Sequence, residues 1–443
     1  MQSKKRKADS DLSAEQQHAL QLAEAGVSFF LTGSAGTGKS YTMLEVVKAL
    51  RAKHGADDVH ITGSTGVASC NVGGTTVFYF AGLGLLDRPV SKLVRILNKK
   101  HMEAVKKRWL DCKVLIIDEI SMIPGQLFDK LESLARCIRR NNKPFGGIQV
   151  IVVGDFLQLP PVRKKDDAER ATWCFNANTW STVIKETILL TKIFRQDNDG
   201  LISLLQGVRK GKLTQANLKL LRSRKNKQLE EPVNLFAYRR DADKLNTQRL
   251  RGLQGNIRTF KAQDTGKAEL LKGCIAPQEL KLKFGASVML LRNLDVASGL
   301  CNGTLGVVDG FTKSGDVMVC FHNGKMPLKK QTWEIKSGKQ VVATRKQIPL
   351  LLAYGLTVHK AQGLSLPKMR ANMRTFEEGQ AYVQLSRCTD IAGVSIYNFG
   401  PASIKVNKEA LAFYEYLEKK KKPEEEEDTR ATKRSRGNDN SNQ

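Results

Sequence analysis

Residues 32–42, "TGSAGTGKSYT", have a spacing of residue types that can bind phosphate. Gly33 and Gly38 are followed by Lys39 and Ser40, which fits the pattern G-x-x-x-x-G-K-[S/T]. In a loop between a strand and a helix, successive backbone N–H groups point at the phosphates, Lys39 neutralises their outer oxygens, and the Ser40 hydroxyl ligates a magnesium ion. The pattern predicts a nucleotide site formed by Gly33, Ser34, Ala35, Gly36, Thr37, Gly38, Lys39 and Ser40.

A pair of carboxylates could supply the hydrolytic chemistry. In "CKVLIIDEISMIP", an apolar run from Val114 to Ile117 ends in Asp118 and Glu119. Ligands of an open α/β sheet bind at the carboxyl ends of its strands. We therefore expect Asp118 to hold the magnesium ion through water, and Glu119 to orient or deprotonate the attacking water.

Three further residues are candidates for contact with the terminal phosphate. Gln158, in "VIVVGDFLQLPPV", would lie beyond the edge of the fourth strand. Arg195 in "LTKIFRQ" and Arg387 in "YVQLSRC" stand on either side of a second α/β half. Each arginine alone is compatible with a surface salt bridge. Together they favour a positive charge supplied to the terminal phosphate from across a cleft. An arginine finger of this kind raises the rate of phosphoryl transfer by on the order of 10³ to 10⁵.

The composition favours a polyanionic partner. The chain has 443 residues, with 72 Lys and Arg against 44 Asp and Glu, for a formal net charge of +28. Counterion release drives binding of so basic a protein to nucleic acid. The eight cysteines form no C-x-x-C pair and no His/Cys cluster, which indicates neither a zinc site nor a disulfide framework and fits a reducing compartment. No apolar run approaches ~18 residues, so no membrane span is expected.

The two ends of the chain are basic. The first residues, "MQSKKRKADSDLS", lack the apolar core of a signal peptide, and their acidic residues argue against an organelle transit peptide. "KKRK" at 4–7 and "KRSR" at 433–436 are compatible with nuclear import, or with tails that bind nucleic acid. We expect the nucleus rather than the mitochondrion.

The pattern of elements predicts an α/β fold with a β insertion. Strands near 27–32, 59–64, 114–119 and 148–155 alternate with helices, which indicates a parallel sheet. A basic insertion at about 83–110 ends near Trp109, and it could either press on a nucleic-acid strand or pack as an amphipathic helix on its own domain. Residues 256–345 consist of short alternating segments broken by glycine, which predicts an all-β module.

The motifs together indicate one family. The guanine-reading N-K-x-D and the transporter signature L-S-G-G-Q are absent. Roughly residues 11–400 resemble the Pif-one family of superfamily 1 DNA helicases. The stretches that carry the resemblance are, in chain order, "LSAEQQ", "TGSAGTGKS", "TGSTGVASCNVGGTT", "LIIDEISMI", "PFGGIQVIVVGDFLQLPPV", "LTKIFRQ", "GLCNGTLGVV", "TVHKAQG" and "EEGQAYVQLSR".

The resemblance implies two RecA-like P-loop NTPase domains, a small wedge insertion in the first and an SH3-like β insertion in the second. The expected boundaries are a basic disordered tail at 1–10, the first domain (1A) at 11–195 with the wedge (1B) at about 83–110, the second domain (2A) at 196–255 and 346–405, the SH3-like domain (2B) at 256–345, and a helix followed by a charged disordered tail at 406–443.

The resemblance also implies an activity and a set of contacts. The implied activity is ATP- and magnesium-dependent unwinding of DNA with 5′-to-3′ movement on single strands, in replication, repair, recombination or telomere maintenance. Gln16 would contact the adenine, Gln158 would sense the terminal phosphate, and Arg195 and Arg387 would be the two catalytic arginines. The residues expected along the DNA are Ser64, Thr65, Gly66, Phe78, Thr357, His359, Lys360, Gln380, Ala381, Tyr382 and Ser386.

The expected partners are single-stranded DNA and tailed duplexes, with G-quadruplexes and RNA–DNA hybrids as further candidates, bound by a monomer. Two departures from the family pattern concern the DNA. Phe78 and Tyr79 stand where the family usually has a His-Ser pair, which would shift contacts there towards stacking. "LSLPKMRANMRTF" is basic where the family tends to have a hydrophobic strand with an acidic residue, which leaves the substrate preference open.

Two other functions compete with strand separation. One is an ATPase that translocates along DNA and remodels protein–DNA complexes without unwinding. The other is a catalytically silent nucleic-acid-binding protein, against which the presence of Glu119 and both arginines argues.

Overall fold

The computed structural model of the chain describes residues 12–420 apart from 66–67, 70–71, 85, 162–171, 197, 267, 272–273, 293, 296–297, 299, 301 and 338–339. The basic clusters at 4–7 and 433–436 and the tails expected at 1–10 and after 420 lie outside these residues, as does Gly66.

The first domain is built on a parallel sheet. Its strands are β1 (Phe29–Gly33), β2 (Val59–Gly63), β3 (Thr75–Thr76), β4 (Val114–Asp118), β5 (Gln149–Gly154) and β6 (Glu186–Leu190). They lie in the order β3-β2-β4-β5-β1-β6, and neighbouring strands are parallel. Strands β1, β4 and β5 are mostly apolar and buried along their whole length, because helices cover both faces of the sheet. All their carboxyl ends therefore meet at one edge.

Helices on the two faces of this sheet bury separate cores. The helices are α1 (Ala14–Glu24), α2 (Lys39–His54), α3 (Val77–Ala81), α4 (Val90–Leu97), α5 (Glu103–Asp111), α6 (Gly125–Arg139) and α7 (Trp180–Val183). Short 3₁₀ helices span Lys100–Met102, Ile120–Met122, Pro144–Gly147 and Cys174–Asn176. One core holds Met43 and Leu50 of α2, and the other holds a group of aromatic rings around Phe156.

The basic insertion packs on its own domain. Leu93 and Leu97 of α4 and Val105 of α5 are buried in the first domain's core. Trp109 is 0% exposed, its ring lies 4.8 Å from that of Phe80, and its Nε1–H donates to the Ala81 carbonyl at 3.3 Å. The Trp109 side chain therefore has no free surface, while contact of the insertion's exposed basic side chains with nucleic acid stays a prediction.

A second α/β unit follows and is interrupted by a β module. It begins with α8 (Asp199–Lys210), α9 (Gln215–Ser223), β7 (Val233–Phe236) and α10 (Arg239–Gly252). The module contains β8 (Arg258–Lys261), β9 (Gln263–Gly266), the 3₁₀ helix Ala268–Leu271, β10 (Glu279–Leu282), β11 (Ser287–Leu290), β12 (Leu305–Phe311), β13 (Val317–Phe321), β14 (Gly324–Leu328), β15 (Gln331–Ser337), β16 (Gln340–Gln347) and β17 (Leu350–Leu352).

The β module is antiparallel and has its own core. Its sheets run β14-β13-β12-β11-β17, β15-β16-β9 and β10-β8. Val288, Val308, Val319 and Leu350 belong to one buried cluster, which also takes in Leu250 at the end of α10. Strand β17 pairs with β11, so the module continues to residue 352, beyond the expected boundary at 345.

The chain then completes the second α/β unit and returns to the first. The elements are β18 (Gly355–Thr357), α11 (Val358–Ala361), β19 (Met369–Asn372), α12 (Gln380–Leu385), the 3₁₀ helix Ile391–Gly393, β20 (Val394–Tyr397), the 3₁₀ helix Pro401–Ser403 and a helical stretch at 408–420. The sheet has the order β18-β7-β19-β20 and is parallel. Tyr414 in the last stretch is buried in the core of the first domain. Among the described helices, none is long and apolar enough to cross a membrane.

Candidate nucleotide and nucleic-acid sites

The phosphate loop connects β1 to α2 and is held tightly by the segment after β6. Gly38 caps α2 with φ +87°, and Gly36 has φ +89°. A Cβ on Gly36 would lie 2.8 Å from the Cβ of Arg195, and the Phe194 N–H donates to the Gly36 carbonyl at 2.8 Å. The glycines are required both for the left-handed backbone and for this close approach.

Lys39 lies at the first position of α2 with its ammonium directed back over the loop. Its Nζ donates to the carbonyls of Gly33 at 2.8 Å and Ser34 at 3.0 Å. Burial lowers the pKa of Lys39, against the opposing charges of Asp155 and Glu119. A cation so placed is electrostatically suited to an anionic ligand of the loop.

Asp118 and Glu119 lie together at the carboxyl end of β4. Glu119 has a left-handed backbone, φ +54°, and its N–H donates to Asp118 Oδ1 at 2.9 Å. A non-glycine residue at such a φ is strained, and such strain clusters at functional sites. Burial, and then the charge of Glu119, raise the pKa of Asp118 to about 8. A nearby cation would relieve this repulsion.

The two arginines meet beside Glu119. Arg387 is 2% exposed, and its guanidinium donates to the Val383 carbonyl at 2.9 Å and to Ser386 Oγ at 2.8 Å. Burial and the neighbouring Arg195 lower the pKa of Arg387 to about 9, while Glu119 opposes that shift. Arg195 Nη1 donates to the Ser386 carbonyl at 3.3 Å. The second unit thus brings the guanidinium of Arg387 to the carboxylates of the first, next to Arg195 in the segment after β6.

Gln158 follows β5 and is 6% exposed. Its N–H donates to the Asp155 carbonyl at 2.9 Å, and its side-chain Nε2 lies 3.5 Å from Asp155 Oδ2. A Cβ on Gly379, just before α12, would lie 2.1 Å from the Gln158 carbonyl oxygen. The backbone of the second unit therefore contacts the loop that carries Gln158. The structure brings all six predicted catalytic residues to this one cleft, and their individual roles stay predictions.

Gln16, the predicted adenine contact, is buried beside the end of the phosphate loop. Its Oε1 accepts from the Ser13 N–H at 2.9 Å, which completes the capping box of α1, and its Nε2 donates to Thr42 Oγ1 at 3.0 Å. The side chain therefore joins the start of α1 to α2.

Several residues predicted along the DNA lie at the carboxyl edges of the two sheets. Ser64 follows β2 and donates its N–H to the Asp118 carbonyl at 3.2 Å, and Thr65 Oγ1 accepts from the Ala68 N–H at 3.2 Å. Phe78 in α3 is half-buried. Thr357 caps α11, whose His359 and Lys360 are half-buried. Contact of these residues with DNA stays a prediction.

The four predicted DNA contacts in and after α12 lie in the interior. Gln380 and Ser386 are 0% exposed, Tyr382 is 2% exposed and Ala381 is 3% exposed. Tyr382 Oη accepts a hydrogen bond from the Ala35 N–H in the phosphate loop at 2.7 Å. In this structure these side chains face the nucleotide cleft and the core, and they present no surface to DNA.

Sequence reasoning missed an ion pair that joins the two units. Arg209 of α8 donates to both carboxylate oxygens of Asp155, which follows β5, and its guanidinium lies 4.5 Å from the centre of the Tyr414 ring. The Tyr414 hydroxyl is 2.6 Å from Thr32 Oγ1. Asp155 follows a buried apolar strand, as Asp118 ends one, so the sequence held a signal for Asp155. No local pattern in the sequence indicates a role for Arg209 or Tyr414.

Sequence reasoning also missed an exposed pair of aromatic rings. Tyr238 follows β7 and Phe376 follows β19, so both lie at the carboxyl edge of the second sheet. The rings stack with centroids 4.7 Å apart, yet the residues remain 46% and 44% exposed. Arg239 and Arg240 begin α10 next to them. Such a surface can stack a base beside positive charge.

Comparison with known proteins identifies the family. The model described as "PIF1-like helicase" matches residues 11–219, and that described as "DNA helicase Pif1, 2B domain" matches residues 267–311. The "ATP-dependent DNA helicase PIF1" of Danio rerio is 39% identical over 93% of this chain, which spans 64% of that protein, less than two thirds of its length.

Two solved structures have the same architecture. The crystal structure of Pif1 helicase from Candida albicans is 36% identical, with a TM-score of 0.79, and the match covers 92% of this chain and 100% of that one. The structure of Pif1 helicase from Bacteroides in complex with ADP-AlF3 and ssDNA is 29% identical, with a TM-score of 0.68 and coverage of 93% and 98%.

The expected fold class, two RecA-like domains with a β insertion in the second, is thereby confirmed. From the matched motifs, the shared architecture and the identity over nearly all of its length, the chain belongs to the PIF1-like helicase family.

Proposed function

We propose that this protein hydrolyses ATP and uses the energy to move 5′-to-3′ along single-stranded DNA and to separate the strands of a duplex. One observation carries the proposal: the phosphate loop and carboxylates of the first domain face Arg387 and α12 of the second domain across one cleft. A nucleotide in that cleft would touch both domains. Its hydrolysis would therefore change how the domains sit relative to each other.

The residues of the cleft fit the steps of phosphoryl transfer. Lys39 and the loop N–H groups bind the phosphates, and Glu119 is positioned to orient or deprotonate the attacking water. Arg195 and Arg387 stabilise the charge that develops on the transferred group, for which the forked guanidinium, charged at neutral pH, is suited. Gln158 lies between the two domains, where contact with the terminal phosphate can change the position of the loop that carries it.

A magnesium ion fits the oxygen donors of the same cleft. Ser40 offers a hydroxyl at the start of α2, and Asp118 offers a carboxylate whose pKa is raised by burial and by the nearby charge of Glu119. Magnesium prefers oxygen ligands and is usually held by one or two protein groups together with phosphates. When bound, the ion would neutralise phosphate charge, and we infer that Ser40 and Asp118 hold it.

The proposed DNA path crosses the carboxyl edges of both sheets. Ser64 and Thr65 lie on the first, and Thr357, His359 and Lys360 lie on the second, beside the exposed Tyr238–Phe376 pair. The net charge of +28 favours a polyanion. The relatives named ATP-dependent DNA helicase PIF1 and the Bacteroides structure with ADP-AlF3 and ssDNA support both the nucleotide and the single strand as ligands.

The finer parts of the proposal come from the family resemblance. They are the 5′-to-3′ polarity, action as a monomer, and a role in replication, repair, recombination or telomere maintenance in the nucleus. G-quadruplexes and RNA–DNA hybrids are further candidate substrates alongside tailed duplexes.

The test is strand displacement on duplexes with one single-stranded tail. We expect ATP-dependent unwinding of a 5′-tailed duplex and none of a 3′-tailed duplex. Lys39→Ala should abolish DNA-stimulated ATP hydrolysis and unwinding while it keeps most single-strand affinity. ATP hydrolysis and movement without unwinding would favour the translocase that remodels protein–DNA complexes. Normal hydrolysis by Lys39→Ala would contradict the assigned site.

A further inference from the structure

Helix α12 contacts the nucleotide cleft at three successive points. Just before it, Gly379 lies against the Gln158 carbonyl. In its first turn, Tyr382 reaches the phosphate loop. Just after it, the Ser386 carbonyl accepts from Arg195. One short helix of the second domain thus touches three parts of the site in the first domain.

The contact of Tyr382 is made with the loop backbone itself. Its hydroxyl oxygen accepts the Ala35 N–H at 2.7 Å, and the Ala35 methyl is buried in the core of the second domain together with the Tyr382 ring. Backbone N–H groups of this loop are the ones that bind phosphate oxygens. The phenol oxygen therefore occupies the acceptor position of one such group, and a phenol that accepts a hydrogen bond still has its own proton to donate.

The surroundings of the hydroxyl belong to the catalytic cleft. Asp155, Arg209 and Arg387 all lie close enough to influence its ionisation, and burial raises the pKa of Tyr382 to about 12. The hydroxyl therefore stays protonated at neutral pH, so it can both accept and donate.

The same helix holds the exposed aromatic surface of the second domain. Gln380, the first residue of α12, accepts hydrogen bonds through Oε1 from the N–H groups of Phe376 at 3.1 Å and Glu377 at 3.3 Å. Phe376 stacks on Tyr238 at the edge where DNA is proposed to pass. A continuous set of contacts therefore runs from Ala35 through Tyr382, α12 and Gln380 to Phe376.

We propose that Tyr382 is a positioning residue, which holds the phosphate loop through Ala35 and couples nucleotide binding to the grip of the second domain on single-stranded DNA. This inference rests on the proposed function. It replaces the predicted contact of Tyr382 with DNA, because the side chain acts at the nucleotide end of α12. Loss of the hydroxyl should leave each ligand able to bind but weaken the effect of one on the other.

The test compares single-strand affinity in two nucleotide states. The full chain and Tyr382→Phe are titrated with a fluorescent oligo(dT), without nucleotide and with ADP and aluminium fluoride, and anisotropy is recorded. We expect Tyr382→Phe to keep the nucleotide-free Kd within about twofold. The factor by which ADP and aluminium fluoride change the Kd should become about 3- to 10-fold smaller than in the unaltered chain, which corresponds to the value of one hydrogen bond. The kcat of DNA-stimulated hydrolysis should fall by a similar factor, with less change in the KM for ATP.

Tyr354→Phe is the matched control. The Tyr354 hydroxyl also accepts a backbone N–H, from Ser287 at 3.0 Å, but next to the β module rather than at the phosphate loop. Tyr354→Phe should lower the melting temperature about as much as Tyr382→Phe does. It should leave intact the change in the Kd for oligo(dT) that the nucleotide causes. Both variants keep their aromatic ring, and titrations well below both melting temperatures remove any effect of stability.

The outcomes separate the proposals. An unchanged nucleotide effect in Tyr382→Phe would overturn the coupling role, and an equal loss of affinity in both nucleotide states would restore the direct DNA contact. If the unaltered chain neither hydrolyses ATP nor responds to DNA, the proposed function itself fails, and this result is seen before any variant is compared.

Discussion

Asp155 of the first domain and Arg209 of the second form a buried two-point ion pair, with nitrogen–oxygen distances of 2.8 and 3.1 Å. The two side chains are 0% and 4% exposed. Arg209 also lies over the ring of Tyr414, whose hydroxyl accepts from the Phe156 N–H at 3.1 Å. The pair therefore connects three separate parts of the chain next to the nucleotide cleft.

Breaking this pair should destabilise the protein strongly. Asp155→Asn leaves the Arg209 charge buried without its counter-ion, which typically costs about 3–5 kcal/mol. We expect a large drop in melting temperature by differential scanning fluorimetry. Asp243→Asn is the control, since Asp243 pairs with Arg239 at the surface, where such pairs are worth about 0–1 kcal/mol. Equal shifts in melting temperature for the two variants would contradict a stabilising role for the buried Asp155–Arg209 pair.

The same pair should make stability depend on acid pH. Burial alone would raise the pKa of Asp155, but the charge and hydrogen bonds of Arg209 outweigh burial and hold it below its usual value. A carboxyl with a lowered pKa in the folded state stabilises the fold above its unfolded pKa, and that contribution is lost as the pH falls through the folded value. The difference in melting temperature between the unaltered chain and Asp155→Asn should be constant near neutrality and shrink below about pH 4. A difference that stays constant into strong acid would refute this.

Arg387 should be required for chemistry and not for binding ATP. We expect Arg387→Ala to lower the kcat of DNA-stimulated hydrolysis by on the order of 10³ or more, with much less effect on nucleotide affinity. Arg387→Lys should restore little, because an ammonium cannot reproduce the forked donor geometry. Arg374→Ala, at an exposed position of the same domain, is the control. Near-normal kcat in Arg387→Ala would exclude an arginine finger at this position.

The stacked aromatic pair should contribute to single-strand affinity without regard to sequence. Tyr238→Leu or Phe376→Leu should raise the Kd for oligo(dT) by about 5- to 150-fold if one base stacks there. The salt dependence should keep its slope, since no phosphate contact is lost, whereas Lys360→Ala should reduce the slope by ~0.7. Tyr416→Leu, at a residue 63% exposed on the last helix, is the control. Unchanged affinity in both aromatic variants would place the DNA elsewhere.

Trp109 should affect folding and not DNA binding. Trp109→Leu removes a buried ring and its hydrogen bond to Ala81, so we expect a loss of about 2–4 kcal/mol in stability, seen as a lower melting temperature. Single-strand affinity measured well below that temperature should not change. Leu110→Ala, at the neighbouring residue that is 44% exposed, should alter neither quantity. Weaker DNA binding by folded Trp109→Leu would contradict a purely structural role for Trp109.

The sequence by itself determined the features that depend on local spacing. The glycines and Lys39 specify the phosphate loop because only a few backbone conformations fit that pattern between a strand and a helix. The apolar run before Asp118 and Glu119 places both carboxylates at a strand end, because a strand buried on both faces is apolar throughout. The order of such motifs was enough to recognise the family, and the short alternating segments broken by glycine were enough to predict the all-β module.

Only the tertiary structure decided which distant residues meet. Ala35 and Tyr382 are 347 positions apart, and they meet because α12 of one domain packs against the phosphate loop of the other. Tyr238 and Phe376 stack because their strands, β7 and β19, are neighbours in the sheet. Tyr382 was predicted from sequence to contact DNA, and Trp109 ends the insertion for which nucleic-acid contact was one alternative, yet both side chains are buried, because burial depends on how helices pack on a sheet and not on residue type. Pairings across domains leave no trace in local spacing, so the link between the nucleotide site and the edge where DNA is proposed to pass emerged from the fold.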